Sequence, residues 1–265
     1  MTILHLISLA LIQGLTEFLP VSSSGHLILF SKIFHLKDQG LGVDVALHIG
    51  SLLAVMIYFG SEILKMFSDV FKTKLKPDFK LKYNKLAWLI VVGSIPALVA
   101  GFCLRHIAAD FLRNPKIIGV TILFYGILLY IADRFSKAQK KLEDIGLKEA
   151  ILIGLAQCLA LIPGTSRSGI TITAARFLHI NRVDSAKFSM LLLIPVIVGA
   201  GALEIYRLYM TGSFTDTALA IKAVCFSFVI SYAVIYLMLK WLQKFSFLPF
   251  VIYRVVLGVL LLVLF

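Results

Sequence analysis

Acidic side chains are scarce in this sequence, with 14 Asp and Glu against 26 Lys and Arg in 265 residues. Cysteine is scarcer: Cys103, Cys158 and Cys225 lie far apart in apolar surroundings. No CxxC pair and no Cys/His ligand spacing occurs, so a cysteine-built metal module is excluded and the three read as small buried hydrophobes. The N-terminus has no basic leader segment and no small-residue cleavage site, and is expected to stay in the mature protein. Only 15% of residues are charged, whereas 60% are hydrophobic. Mean hydropathy is +0.95. A soluble domain is nearer half apolar. The chain therefore reads as an integral membrane protein with several spans, not a soluble core with one anchor. A net charge of +12 would suit nucleic acid, but the cations sit in loops between apolar segments. Positive loops facing the cytoplasm account for them.

A span needs about 20 apolar residues. Six segments come close: Val43–Phe59, Leu86–Leu104, Lys116–Ala132, Phe188–Tyr206, Ala218–Leu242 and Phe247–Phe265. Two further apolar regions are interrupted. Ile3–Phe34 is broken by Pro20-Val-Ser-Ser-Ser-Gly-His26, and Leu147–His179 by Pro163-Gly-Thr-Ser-Arg-Ser-Gly169. Each half is too short to span, so both regions read as re-entrant helical hairpins. The predicted fold is an all-α polytopic membrane domain over 1–265, with six transmembrane helices and two re-entrant hairpins.

The order hairpin, three spans, hairpin, three spans marks an internal repeat, residues 1–135 and 145–265. Gly14-Leu-Thr-Glu-Phe-Leu19 aligns with Gly154-Leu-Ala-Gln-Cys-Leu159, each followed by its hydroxyl-rich loop. An odd number of spans per half inverts the second half, which places polar sites where broken helices meet near the midplane. Cations concentrate in segments 65–85, 134–148, 176–187 and 240–244, and that side is expected to be cytoplasmic. Both termini then lie outside, and the hairpin tips enter from opposite faces.

The tips carry the candidate chemistry. Gln13 and Glu17 share one helix face, and an ionisable Glu17 inside an apolar segment marks a functional site. Ser22, Ser23 and Ser24 precede a helix expected to start near His26, where serines cap and first-turn N–H groups attract anions. Ser166, Arg167, Ser168 and Gly169 precede an expected helix Ile170–His179. Arg167 needs an anion, and its planar fork suits either phosphate or Glu17. Together the tips offer a nucleophile, a base and a cation, the parts that phosphate hydrolysis needs. Arg254, inside the last span, either snorkels to the interface or pairs with Asp44 or Glu204. His48 reads as an interhelical hydrogen bond.

At Gln13-Gly-Leu-Thr-Glu17-Phe-Leu-Pro-Val-Ser-Ser-Ser-Gly-His26 and Pro163-Gly-Thr-Ser-Arg-Ser-Gly169 the chain resembles the undecaprenyl-diphosphatase (bacitracin-resistance) family of bacterial inner-membrane proteins. The resemblance extends through Asp44-Val-Ala-Leu-His-Ile-Gly50 and Tyr253-Arg254. It implies a multi-pass enzyme of the cytoplasmic membrane that hydrolyses undecaprenyl diphosphate to undecaprenyl phosphate, recycling the carrier for peptidoglycan, with its site open to the outer face. Glu17, Ser23, His26 and Arg167 match the family's essential positions. Gln13, Ser22, Ser24, Gly25, Thr165, Ser166, Ser168 and Gly169 are then the expected substrate-binding residues. Gln13 stands where some members have glutamate, which weakens any role needing a second carboxylate. Mg²⁺ or Ca²⁺ bridging Glu17 and the diphosphate is one option, and Ser23 and His26 both stand as nucleophile. Membrane acid phosphatases share only Ser24-Gly25-His26: Thr173 replaces their histidine and no Arg-Pro dipeptide occurs. The alternative class is a polyprenyl-phosphate flippase, since inverted repeats with broken helices are transporter architecture. The expected partners are the lipid substrate and membrane lipids, with no nucleic acid. Oligomeric state is left open, a homodimer among the options.

The topology predicts opposite labelling of two single-cysteine variants made on a cysteine-free background. A membrane-impermeant thiol reagent applied outside should modify Arg207→Cys at once and Lys76→Cys only after permeabilisation; the reverse order overturns the orientation.

Overall fold

The computed structural model describes residues 2–33, 40–104, 114–211 and 216–265, without the side chains of 24, 28, 31–33, 41 and 211. Its helices in the first half are α1 (Ile3–Phe18), α2 (Ser23–Ile33), α3 (Leu41–Tyr58), α4 (Gly60–Lys72), α5 (Lys82–Leu104) and α6 (Pro115–Phe135). The second half has α7 (Leu147–Gln157), α8 (Arg167–Phe177), α9 (Arg182–Thr211), α10 (Thr217–Leu242) and α11 (Leu248–Leu264). No strand occurs among the described residues; Lys140 and Ile180 make one isolated parallel bridge. Helix starts are set by side chains: Asn114 caps α6 ahead of Pro115, and Asp216 caps α10, each oxygen satisfying a first-turn N–H.

Four helices, α5, α6, α9 and α10, are long and apolar enough to cross a membrane. The expected span Val43–Phe59 is different. α3 ends at Tyr58 and the chain bends by 76° into α4, a helix that hydropathy missed because Glu62, Lys65, Asp69 and Lys72 divide its apolar residues. Its period-3.6 pattern was the available signal: Leu64, Phe67 and Phe71 are exposed while Met66 is buried in the core. By length and composition the bent pair is a fifth candidate, as a broken span or a re-entrant loop. The last expected span is α11, which with α1 is a shorter apolar helix.

The main core runs between α3, α5, α8, α9 and α10. Close crossings are made by small residues, as bilayer helices require in the absence of a hydrophobic drive between them. On α3 and α10, Ser51 Oγ lies 3.2 Å from Ser227 Oγ and 3.0 Å from Ser231 Oγ, and Ser227 donates to the Leu47 carbonyl at 2.7 Å. Gly14 and Gly154 serve the same end. A methyl group at Gly14 would strike Ile230 of α10, and one at Gly154 would strike the Gly93 backbone of α5.

The cation-rich segments gather at one end of the bundle. Lys82 Nζ lies 3.3 Å from Glu143, Lys140 Nζ lies 2.7 Å from Glu149, and Arg176 and Arg182 both approach Asp133 at 2.9 Å. Arg176 and Asp133 are buried, so this pair is desolvated and each partner depends on the other.

Gly154→Val tests the α5–α7 crossing. The overpacked side chain is expected to cost about 1–3 kcal/mol, read as a lower thermal unfolding midpoint in detergent. Gly101→Ala, where the nearest atom is 3.7 Å away, serves as the neutral control.

Candidate active site

Both polar interruptions fold into the same turn. Ser22 and Ser166 take left-handed backbone angles, φ 80° and φ 73°, unusual for residues with a Cβ. Each side chain accepts the N–H three residues on: Gly25 N to Ser22 Oγ at 3.3 Å and Gly169 N to Ser166 Oγ at 3.0 Å. The helices therefore start earlier than expected. α2 begins at Ser23, not near His26, and α8 at Arg167, not Ile170, because serine capping and not the apolar run sets the boundary. Ser23 and Arg167 consequently occupy corresponding first positions of α2 and α8.

Both face Glu17. Its carboxylate is buried, 7% exposed. Oε2 accepts from Ser23 Oγ at 2.8 Å and from Gln13 Nε2 at 3.1 Å; Oε1 accepts from Arg167 Nη2 at 3.3 Å. Arg167 Nη1 donates to the Ser189 carbonyl at 2.8 Å, which holds the guanidinium across the gap between α8 and α9. A bent pair of this kind keeps two buried charges compensated while leaving the hydroxyl beside the carboxylate.

His48 joins this group, correcting its reading as an interhelical hydrogen bond. Its Nδ1 is 2.8 Å from the Asp44 carbonyl of its own helix, and Nε2 is 3.9 Å from Glu17 Oε2. The signal was present, since a titratable residue within an apolar helix is functional by default. His26 is turned elsewhere. Nδ1 lies 2.7 Å from the Ser22 carbonyl, which only accepts, so Nδ1 carries the proton. Nε2 then accepts from the Tyr253 hydroxyl at 2.6 Å, the rings stacked at 5.6 Å. Of the two bases considered for Ser23, Glu17 is the one in contact.

Several expected substrate ligands are engaged by the protein itself. Ser22 and Ser166 cap helices. Ser168 Oγ donates to the Leu19 carbonyl at 3.1 Å, stitching the second loop to the first. Gly25 and Gly169 give their N–H groups to the capping serines. The Ser24 side chain lies outside the described residues. Three buried atoms at the site have no hydrogen-bond partner among the described residues: Gln13 Oε1, Thr165 Oγ1 and Arg167 Nε. Unpaired buried polar atoms are expensive and call for a ligand or water. Gln13 Oε1 and the Glu17 carboxylate are hard oxygen donors of the type Mg²⁺ or Ca²⁺ takes when phosphate oxygens supply the rest, although it is Gln13 Nε2 that faces Glu17 here. Among the described residues, no group of three His, Cys, Asp or Glu forms a cage of its own.

Arg254 neither snorkels nor finds an acid. It is fully buried, and carbonyl oxygens take its whole fork. Nε donates to Ile122 at 3.0 Å, Nη1 to Pro20 at 3.0 Å and Thr165 at 3.1 Å, and Nη2 to Gly164 and Thr165 at 3.1 Å. One side chain of α11 thus ties both loops to α6. Asp44 and Glu204 take no part in this clamp, and Glu204 pairs with Arg207 at 2.9 Å. Gly164, at φ 89° against Thr121, has no room for a side chain, and Thr121 Oγ1 donates to the Pro163 carbonyl at 2.7 Å.

These features define a polytopic helical membrane protein whose two polar loops meet on one buried serine–glutamate–arginine centre. The chain belongs to the bacitracin resistance protein BacA family, whose model matches residues 6–260. It is 47% identical to the undecaprenyl-diphosphatase of Alteromonas mediterranea, covering 99% of this chain and 98% of that protein. It is likewise 47% identical to the undecaprenyl-diphosphatase of Hahella chejuensis, and 44% identical to undecaprenyl-diphosphatase 1 of Pseudoalteromonas translucida.

Arg254→Met would leave the carbonyls of Pro20, Gly164 and Thr165 unpaired, each costing about 1–3 kcal/mol, and the unfolding midpoint should fall accordingly. Arg254→Lys keeps the charge but not the fork. It should fold, with turnover lowered about 10²-fold by loop misplacement; full activity would show that the clamp does not position the site.

Proposed function

We propose that the protein hydrolyses undecaprenyl diphosphate to undecaprenyl phosphate and inorganic phosphate at the Ser23–Glu17–Arg167 centre. The observation that carries the reading is that one buried carboxylate is in contact with both a hydroxyl, at 2.8 Å, and a guanidinium, at 3.3 Å. A binding site needs the cation; only a reaction needs the hydroxyl beside a base. The names of the relatives agree with hydrolysis in preference to lipid transfer alone.

In this mechanism Arg167 turns its fork, including the unpaired Nε, onto the diphosphate, and Glu17 is released to act on Ser23. Glu17 takes the Ser23 proton as Oγ attacks the terminal phosphorus. The bond from that phosphorus to the bridging oxygen breaks, and the lipid monophosphate departs, a good leaving group that needs little protonation. Glu17 gives that proton up to the departing monophosphate and, as a carboxylate again, deprotonates the water that cleaves phosphoserine; the proton returns to Ser23 Oγ as phosphate leaves. His26, its two ring nitrogens engaged by the Ser22 carbonyl and the Tyr253 hydroxyl, steadies the first loop against α11. His48 Nε2 borders the same Glu17 carboxylate at 3.9 Å. If a divalent cation binds, Glu17 and Gln13 would hold it, and it would supply charge neutralisation of the diphosphate.

The reading extends to the wider architecture. Two loops sharing the Ser-x-Ser-Gly turn support an inverted repeat, with the loops as tips of re-entrant hairpins. The gathering of cations at one end supports placing that end in the cytoplasm and the site toward the outer face of the bacterial inner membrane.

With purified protein and farnesyl or undecaprenyl diphosphate, Ser23→Ala and Arg167→Ala should nearly abolish phosphate release. Glu17→Gln, which keeps the shape and one acceptor oxygen but neither the base nor the charge, should lower it about 10²–10⁴-fold. Acid quenching should trap phosphoserine at Ser23. An acid-labile phosphohistidine at His26 would overturn the assignment of the nucleophile, and full activity in all three variants would overturn the site. Activity lost in EDTA and restored by Mg²⁺ or Ca²⁺ would bring the metal into the mechanism.

A further inference from the structure

A second cationic site lies at the lysine-rich end of the bundle, away from the Ser23 centre and independent of its chemistry. A cavity of about 380 Å³ opens between the end of α6 and the start of α11, a size in the range of ligand pockets. Arg134 and Arg182 line it, with Asp133 between them. The charges do not balance. Asp133 Oδ1 already accepts from the buried Arg176 Nε at 2.9 Å and from Arg182 Nε at 2.9 Å, so one carboxylate serves two guanidiniums. Arg134 adds a third cation and makes no hydrogen bond or ion pair among the described residues. The nearby acids are committed elsewhere: Asp184 accepts from Leu142 N and Asn181 Nδ2, and Glu143 pairs with Lys82.

Arg182 uses only Nε on Asp133, which holds its fork in place while its two terminal amino groups make no hydrogen bond among the described residues. The hydroxyl-bearing Ser136 and Ser246 line the same cavity. Arginine forks and hydroxyls converging on one space match the oxygens of a phosphate group. The rest of the wall is apolar, formed by Tyr130, Leu248 and Val251. Tyr130 and Leu248 are 45% and 44% exposed, on helices that face lipid. A cationic floor joined to an outward apolar wall suits a phosphate carrying a hydrocarbon tail better than a free ion, and basic pockets between membrane helices are where anionic headgroups dock.

We propose that this cavity binds the phosphate headgroup of an anionic membrane lipid, with Arg134 and Arg182 as the ligating residues and the lipid tail lying along Tyr130 and Leu248. The full-length protein in neutral detergent, offered phosphatidylglycerol and phosphatidylcholine, would be analysed by native mass spectrometry. Preferential retention of phosphatidylglycerol is expected, reduced roughly ten-fold in Arg134→Gln, a charge-assisted hydrogen bond being lost. Arg134 has no internal partner, so this variant should fold; Arg182→Gln should give a similar loss, with an unchanged far-ultraviolet helix signal as its control. Equal retention by the wild type and Arg134→Gln, or equal retention of the two lipids, would overturn the proposal. Inorganic phosphate is the second probe. Displacement of lipid only by large phosphate excess supports the headgroup, whereas tight Arg134-dependent phosphate binding without any lipid preference would overturn it.

Discussion

The structure depends on the buried guanidinium of Arg254. Two loops of non-helical backbone lie inside an apolar bundle, where no solvent satisfies their carbonyls. A lone carbonyl there is costly, and so is a lone guanidinium. Arg254 solves both by donating to Ile122, Pro20, Gly164 and Thr165. Its carbonyl partners come from both loops and from α6, so the loops are fixed relative to each other. The contact between Ser23, Glu17 and Arg167, which come from three different helices, follows from that fixed spacing.

The loops share a turn but divide the chemistry. Ser22 and Ser166 each cap their own helix from a left-handed conformation, and the next residue is delivered toward Glu17. In one loop that residue is a hydroxyl, in the other a guanidinium. The second break is longer, a 3₁₀ turn at Cys158–Leu161 preceding its loop, which shifts the match between loops away from that of the helices before them. Gln157, the counterpart of Glu17, is buried with no partner for its amide among the described residues, and Glu17 alone supplies a carboxylate.

Much was legible because the chemistry is local. Apolar length marked α5, α6, α9 and α10, and the polar interruptions marked Glu17, Ser23 and Arg167. α4 escaped because hydropathy averages over a helix whose apolar face is only half of it. The starts of α2 and α8 were placed a few residues late because a capping serine and a first-turn serine look alike in sequence. Arg254 was misjudged because its partners are backbone carbonyls, which every residue has and no side-chain pattern announces. His48 and Tyr253 were seen as residues, but not as the neighbours of Glu17 and His26.

Taken alone, the sequence determined that the chain is a helical membrane protein, that two hydroxyl-rich loops interrupt it, and that ionisable Glu17, Arg167 and Arg254 stand in segments where lipid disfavours charge. Those follow from composition and transfer free energy along the chain. Only the tertiary structure decided which groups touch. It placed Ser23 on Glu17 and not on His26, assigned Tyr253 to His26, and set Arg254 on both loops. Such choices rest on distances of about 3 Å between hydrogen-bonding atoms, and helix packing, not order along the chain, sets distances at that scale.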